Sequence, residues 1–101
     1  WTWARLALDL EQARLLTYRA ARAVDEDGLP SASHATMAKL AASEVAVAIT
    51  QQAIQAFGWR GIARGREFPV ERVARETRGW TIAGGTTESL LNSLAHDLLD
   101  D

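Results

Sequence analysis

The sequence predicts an all-α fold, an up-and-down four-helix-bundle-type domain represented by a long helical hairpin plus two shorter helices. Three observations carry this. Apolar residues recur at three- and four-residue steps, alanine is abundant, and no stretch alternates β-branched with polar residues as a half-buried strand would. The first segment spans about Thr2 to Val24, with Leu6, Leu10, Ala13, Ala20 and Val24 on one stripe and Glu11, Arg14, Arg19 and Arg22 mostly off it. Asp25-Glu26-Asp27-Gly28-Leu29-Pro30 ends it, since Gly supplies a left-handed cap and Pro blocks continuation.

A second segment starts near Ser31 or Ser33, either of which can cap free N–H groups, and reaches Phe57-Gly58. That is about 25 residues, or roughly 38 Å of helix. Met37, Leu40, Ala41, Val45, Ala48, Ile49, Ile54 and Phe57 leave it a narrow polar strip, the pattern of a buried helix. Ala38, Ala42, Ala46 and Ala53 permit close approach of neighbours. So apolar a hairpin is expected to need further helices, from upstream sequence or another subunit. Gly58 to Arg66 reads as a loop, and Pro69 suits the first turn of a third helix with Val70, Val73, Thr77 and Trp80 on one face. Gly84-Gly85 break that helix. Thr86 or Thr87 caps a fourth, striped by Leu90, Leu91, Leu94, Ala95 and Leu98, with Asp97, Asp100 and Asp101 at its negative dipole end.

At 101 residues the chain is one domain at most. Apolar residues make up 48% and charged residues 24%, which excludes a disordered tail. The absence of cysteine excludes a disulfide scaffold and a thiolate metal site. A net charge of −2 argues against coating a polyanion such as nucleic acid. No apolar run is long enough for a membrane span, and no signal peptide is visible. Of the eleven basic residues all but Lys39 are Arg. The chain opens on Trp1 without Met and closes on Asp100-Asp101, and is expected to be part of something longer.

Few residues support chemistry by themselves. His34 and His96 lie on different helices without an acidic pair at ligand spacing and read as surface histidines. No Ser sits on a nucleophile elbow. Glu67 and Glu71, one turn apart, read as a solvated helix start. The cluster Arg60, Arg64, Arg66, Arg72, Arg75 and Arg78 alternates with Glu67, Glu71 and Glu76. Gln51 to Gly58 has the look of a helix-turn-helix start, but a Gly/Arg loop and Pro69 stand where a recognition helix should follow. Gly84-Gly85-Thr86-Thr87-Glu88 exposes N–H groups at a helix start, a seat for a phosphate or a polarised carbonyl, or else a plain cap.

Order and spacing add a resemblance. Glu11-Gln12-Ala13-Arg14-Leu15-Leu16-Thr17-Tyr18-Arg19-Ala20-Ala21 resembles the helix opening the C-terminal hairpin of acyl-CoA dehydrogenases, and Ala35 to Ala46 is similar to their next helix. Gln55-Ala56-Phe57-Gly58-Trp59-Arg60-Gly61 matches a Gln-x-x-Gly-x-x-Gly loop. Glu67-Phe68-Pro69-Val70-Glu71-Arg72, with Arg75-Glu76 after it, matches a Glu-Tyr/Phe-Pro-Val-Glu-Arg segment. Gly85-Thr86-Thr87-Glu88 resembles a Gly-Thr-Ser/Thr-Glu/Gln box. Five such matches run in order from about Leu6 to Leu98 and correspond to the last part of a family member.

The resemblance implies an FAD enzyme, usually a tetramer, that oxidises acyl-CoA thioesters to 2-enoyl-CoA and passes electrons to an acceptor. Residues 1–101 would be part of its C-terminal helical domain, in a bacterial cytoplasm, with a homo-oligomer or a heteromeric dehydrogenase as the assembly. It implies that Gln55, Phe57, Gly58 and Trp59 contact the FAD of a neighbouring subunit, and that Thr86 and Glu88 approach the ribityl–pyrophosphate region. Trp59 stands where many members have a second Gly, and the loop to Glu67 is slightly longer. Many members place the catalytic Glu just before the Gly-Thr pair. Here that residue is Gly84, as in a subclass resembling isovaleryl-CoA dehydrogenase, whose base comes from an upstream helix. Gly84 would offer only its backbone N–H to the thioester carbonyl. The rival expectation is a non-catalytic helical module that only oligomerises.

Overall fold

The computed structural model of the chain describes residues 1–28 and 32–99. Five helices occupy most of them: α1 (Thr2–Asp27), α2 (Ala32–Phe57), α3 (Trp59–Ile62), α4 (Val70–Trp80) and α5 (Thr87–Leu99). The hairpin of α1 and α2 is the frame. Among the described residues α1, α3, α4 and α5 all pack on α2, and α3 also touches α4. Helix α1 runs one turn beyond the predicted Val24 because nothing before Gly28 breaks it. Arg22 Nε donates to Glu26 Oε1 at 2.6 Å across that last turn. Gly28 then adopts φ 78°, and its N–H closes on the Val24 carbonyl at 2.8 Å.

The face of α1 turned to α2 is narrower than the predicted stripe. Leu6, Asp9, Ala13, Leu16, Ala20 and Ala23 are its buried or half-buried positions, in alternating steps of three and four. That is the two-in-seven seam of a coiled-coil pair. Leu10 and Val24, placed on the stripe by apolarity alone, lie outside the seam at 42% and 39% exposure. A rotation of the same kind corrects α4. Its inward face is Val70, Ala74, Thr77 and Thr81, whereas Val73 and Trp80 are left 39% and 63% exposed at its margins. Thr77 and Thr50 join their hydroxyls at 3.0 Å between the two helices. Small residues govern both seams because they let backbones approach.

The predicted Gly58–Arg66 loop contains α3. Gly58, at φ 59°, reverses the chain after α2. Gly61 then lies flat against the last turns of α2, where a Cβ would come within 2.5 Å of the Ile54 carbonyl oxygen. Pro69 stands at the N-cap of α4, and the helix ends at Trp80, before the glycines expected to break it. Helix α2 begins at Ala32, so Ser33 lies in its first turn rather than at the cap. Ser31, Asp100 and Asp101 lie outside the described residues.

The helices do not close a core. Among the described residues the buried apolar ones are Ala13, Ala38, Leu40, Val45, Val47 and Ala74, and no large side chain is fully enclosed. Helix α2, expected to be buried nearly all round, still exposes Ala42, Ala48 and Phe57. Helix α5 has no buried residue, so much of its leucine stripe is bare. An apolar groove of about 460 Å3, lined by Leu10, Ala13, Val45, Ile49 and Thr77 among others, stays open between α1, α2 and α4. The accessible surface is 7338 Å2, against roughly 5,600 Å2 for a folded monomer of this mass. The radius of gyration is 15.9 Å, where about 13 Å is typical.

The excess surface, about 1,700 Å2 by that scaling, is roughly twice what one partner buries in a standard protein–protein interface. The isolated chain is therefore expected to self-associate at micromolar concentration. Sedimentation velocity should show species heavier than 11.0 kDa. A monodisperse monomer with a cooperative melt would show that the chain closes its own core.

Candidate functional site

Two clusters of the residues singled out by sequence lie at different places along α2. The first follows its C-terminus. Gln55, Phe57, Gly58 and Trp59 are all exposed, Phe57 and Trp59 at 55% and 66%. The Gly58 N–H donates to the Gln55 carbonyl at 3.3 Å, and the Gly61 N–H to the Gly58 carbonyl at 2.9 Å. Trp59 meets Phe68 edge-on at 5.8 Å, and the Arg60 guanidinium sits 5.7 Å from the Trp59 ring centre. The result is an exposed pair of flat aromatic surfaces beside a cation, held by glycine turns.

The second cluster is the turn between α4 and α5. Gly84 and Gly85 take φ values of 69° and 101°. The Thr87 N–H donates to the Thr81 carbonyl at 3.0 Å and closes the loop. Thr86 caps α5, its Oγ1 accepting from the Ser89 N–H at 3.2 Å, which resolves the choice between Thr86 and Thr87. Thr87 instead donates its hydroxyl proton to Glu44 Oε1 at 2.8 Å, and Lys39 Nζ donates to the Gly85 carbonyl at 2.7 Å. Both partners come from α2. A polar hollow of about 460 Å3 opens beside the turn, lined by Glu44, Arg78, Thr86 and Glu88 with Thr81, Ile82 and Thr87. Among the described residues the N–H groups of Gly84, Gly85, Thr86 and Glu88 take no part in a hydrogen bond.

The fold does not bring these clusters together. From Glu44 to Gln55 is eleven residues of helix, roughly 17 Å along the axis. Sequence reasoning missed Lys39 and Glu44, because nothing local links positions more than forty residues from the turn. Their spacing on one helix before a Gly-Gly-Thr turn was the available signal.

The other candidates carry little chemistry. Half of the arginine cluster is paired in place: Arg64 and Arg75 share Glu71, at 3.8 and 3.1 Å, and Arg72 pairs with Glu76 at 3.3 Å. Glu71 is correspondingly only 18% exposed, not the solvated carboxylate expected. His34 is half-buried rather than a surface histidine, with Nδ1 enclosed and unpartnered among the described residues, while His96 is exposed. Among the described residues no group of His, Asp and Glu could hold a metal, and no helix is long and apolar enough to cross a membrane. The Arg14 guanidinium is held above its ordinary value by its hydrogen bond to Tyr18, with help from the charges of Tyr18 and Glu11. That leaves it charged throughout the working pH range.

An unclosed helical bundle that presents a glycine turn and an aromatic loop defines a domain built to be completed by other elements. Comparison with known proteins says which kind. The family described as acyl-CoA dehydrogenase, C-terminal domain, matches residues 1–99, and the chain belongs to that family. It is similar to 3-sulfinopropanoyl-CoA desulfinase of Paraburkholderia xenovorans, at 39% identity over 98% of this chain and 24% of that protein. It is also similar to the mitochondrial short-chain specific acyl-CoA dehydrogenase of Sus scrofa, at 51% identity over 84% of this chain and 20% of that one. A solved chain described under the electron transferring flavoprotein of Acidaminococcus fermentans superimposes with a TM-score of 0.88 at 35% identity, covering 99% of this chain and 26% of that one. The chain thus spans about a quarter or less of the length of these relatives.

The two glycines of the turn should respond differently to a methyl group. A Cβ on Gly84 meets nothing within 4 Å, whereas one on Gly85 would stand 2.9 Å from Leu90 Cδ2, at a φ that side chains rarely adopt. Gly85→Ala is expected to destabilise the full-length protein by about 1–3 kcal/mol. Gly84→Ala, closer to the ordinary left-handed region, should cost about 1 kcal/mol. Urea denaturation of both variants checks the order. Equal losses would mean that Leu90 yields freely.

Proposed function

We propose that this domain belongs to an FAD-dependent enzyme that oxidises an acyl-CoA thioester to the 2-enoyl-CoA and hands the electrons to a redox acceptor. Within it the domain supplies the oligomer core and part of the flavin site. The observation that carries this reading is the α4–α5 turn, whose Gly84, Gly85 and Thr86 N–H groups take no hydrogen bond among the described residues, beside the polar hollow that Thr86 and Glu88 line. Backbone donors of that kind stabilise charge that develops on a carbonyl oxygen. The bound flavin supplies hydride acceptance at its ring.

The residues present fit such a group. Thr86 accepts from Ser89, which leaves its hydroxyl proton free for a phosphate or carbonyl oxygen. Glu88, an exposed acceptor in the first turn of α5, suits the hydroxyls of a ribityl chain rather than a phosphate. Phe57 and Trp59 offer flat faces and Gln55 an amide, which supports contact with a planar ring system presented by a neighbouring subunit. Gly84 contributes its N–H to the thioester carbonyl and nothing that can hold a proton. The base is accordingly a carboxylate from the part of the protein preceding Trp1, as in the isovaleryl-CoA dehydrogenase-like subclass. Relatives among bacterial proteins support a cytoplasmic setting.

A second reading follows from the similarity to a desulfinase, combined with the bare Gly84. On that reading the full-length protein cleaves carbon–sulfur bonds in a sulfinated acyl-CoA. Short-chain acyl-CoA turnover should decide. Formation of 2-enoyl-CoA with flavin reduction is the expected outcome. Release of a sulfur oxyanion from 3-sulfinopropanoyl-CoA with no enoyl product from plain acyl-CoA would favour the second reading, and no turnover of either would favour a module that only assembles.

Exchange of the α-proton into deuterated water isolates the base. Replacing the upstream carboxylate should slow exchange about 10²–10⁴-fold. Gly84→Glu alone should lower the rate near neutral pH, because two carboxylates in one small pocket raise the pKa of at least one. If no upstream acid proves necessary for exchange, the borrowed base is wrong.

A further inference from the structure

The α4–α5 turn is little constrained by its own residues at Gly84 and Gly85. Two consecutive glycines with positive φ can exchange conformations at little steric cost. A turn that must present N–H groups in one direction therefore needs a tether from outside. Helix α2 provides one. Lys39 Nζ, forty-six residues away in sequence, donates to the Gly85 carbonyl oxygen at 2.7 Å.

This contact sets more than a distance. Among the described residues no peptide bond is cis. Across a planar trans peptide the carbonyl and the following N–H point in opposite directions. With the Gly85 carbonyl drawn toward α2, the Thr86 N–H is turned away from it, toward the open side. The ammonium is also electrically unspent: among the described residues no carboxylate pairs with Lys39. Lys39 is half-buried, its stem beside Trp80 in a small hollow. It is the only lysine in a chain that otherwise uses arginine for positive charge. An ammonium is a compact point donor, suited to a single carbonyl rather than a forked acceptor.

We propose that Lys39 is a positioning residue for the proposed reaction, holding the Gly85–Thr86 peptide plane so that the Thr86 N–H faces the bound flavin or thioester. Glu44, through Thr87, fixes the far side of the same turn at 2.8 Å. This inference rests on the dehydrogenase reading for what the turn serves, but not for the tether itself.

The test compares full-length protein, loaded with flavin, carrying Lys39→Met or Lys39→Arg against the unaltered protein. Amide deuterium exchange is read over residues 81–90 and, as a control for folding, over 13–20, and kcat and KM are measured with a short-chain acyl-CoA. Lys39→Met should speed exchange at 81–90 about tenfold or more, the weight of a charge-assisted hydrogen bond, and leave 13–20 unchanged. It should lower kcat by about tenfold with KM nearly constant, because the donor acts on charge that develops in the transition state. Lys39→Arg should recover much of both. Unchanged exchange at 81–90 overturns the tether. Faster exchange with unchanged kcat overturns the positioning role, since the turn would then be held for packing alone. A full-length protein that turns over no acyl-CoA even unaltered defeats the dehydrogenase reading, and with it the positioning role, while the exchange data still decide whether Lys39 holds the turn.

Discussion

Everything in this chain is referred to one rod, α2, and that arrangement depends on how closely its neighbours can come. Where α1 lies on it, the facing positions of α1 alternate in steps of three and four and include Ala13, Ala20 and Ala23. Where α3 lies on it, Gly61 removes the side chain altogether, because even a Cβ would meet the Ile54 backbone. Where α4 lies on it, Ala74 is the buried residue, and among the described residues the polar bridge is a pair of threonine hydroxyls. Close backbone approach through small residues gives strong dispersion contact per turn but fills little volume. The larger side chains are left on the outer faces, where they add little to the chain's own stability and much to a potential interface.

The same rod that leaves the core open also places the polar chemistry. Lys39 and Glu44 lie five residues apart on α2, a little more than one turn, and hold Gly85 and Thr87 on either side of Thr86 in sequence. A turn with two positive φ values is thereby attached to the stiffest element available. The Gln55–Trp59 loop is attached to that helix too, roughly 17 Å further along. Separation of the two clusters along a single helix lets each face a different neighbour, as the proposed function requires of a flavin site shared between subunits.

The helical character, the order of the four longer helices and the stops at Gly28 and Gly58 were legible because they rest on local physics. Periodicity, propensity and a left-handed cap at Gly28 need no knowledge of neighbours. What was not legible was which apolar residues turn inward. Leu10, Val73 and Trp80 carry far more apolar surface than Ala13 and Ala74, yet the alanines are buried, because the contact is decided by how near two helices can come. Helix α3 was hidden for a related reason: its four residues are seated against the end of α2, where Gly61 meets the Ile54 backbone. The two motif regions stood out as patterns of residues, while the tether from Lys39 joins positions that no window of sequence compares.

A structure of the full-length protein with flavin and a non-reacting acyl-CoA bound tests the central claim most directly, that α2 holds the Gly84–Thr86 turn as a backbone donor site within an assembly. The account requires the N–H groups of this turn within hydrogen-bond distance of the flavin or the thioester oxygen. Lys39 should be on the Gly85 carbonyl, and the bare faces of α1 and α5 should be covered by other helices. A turn that faces solvent or a protein neighbour, with the flavin and thioester served entirely by other segments, would contradict it.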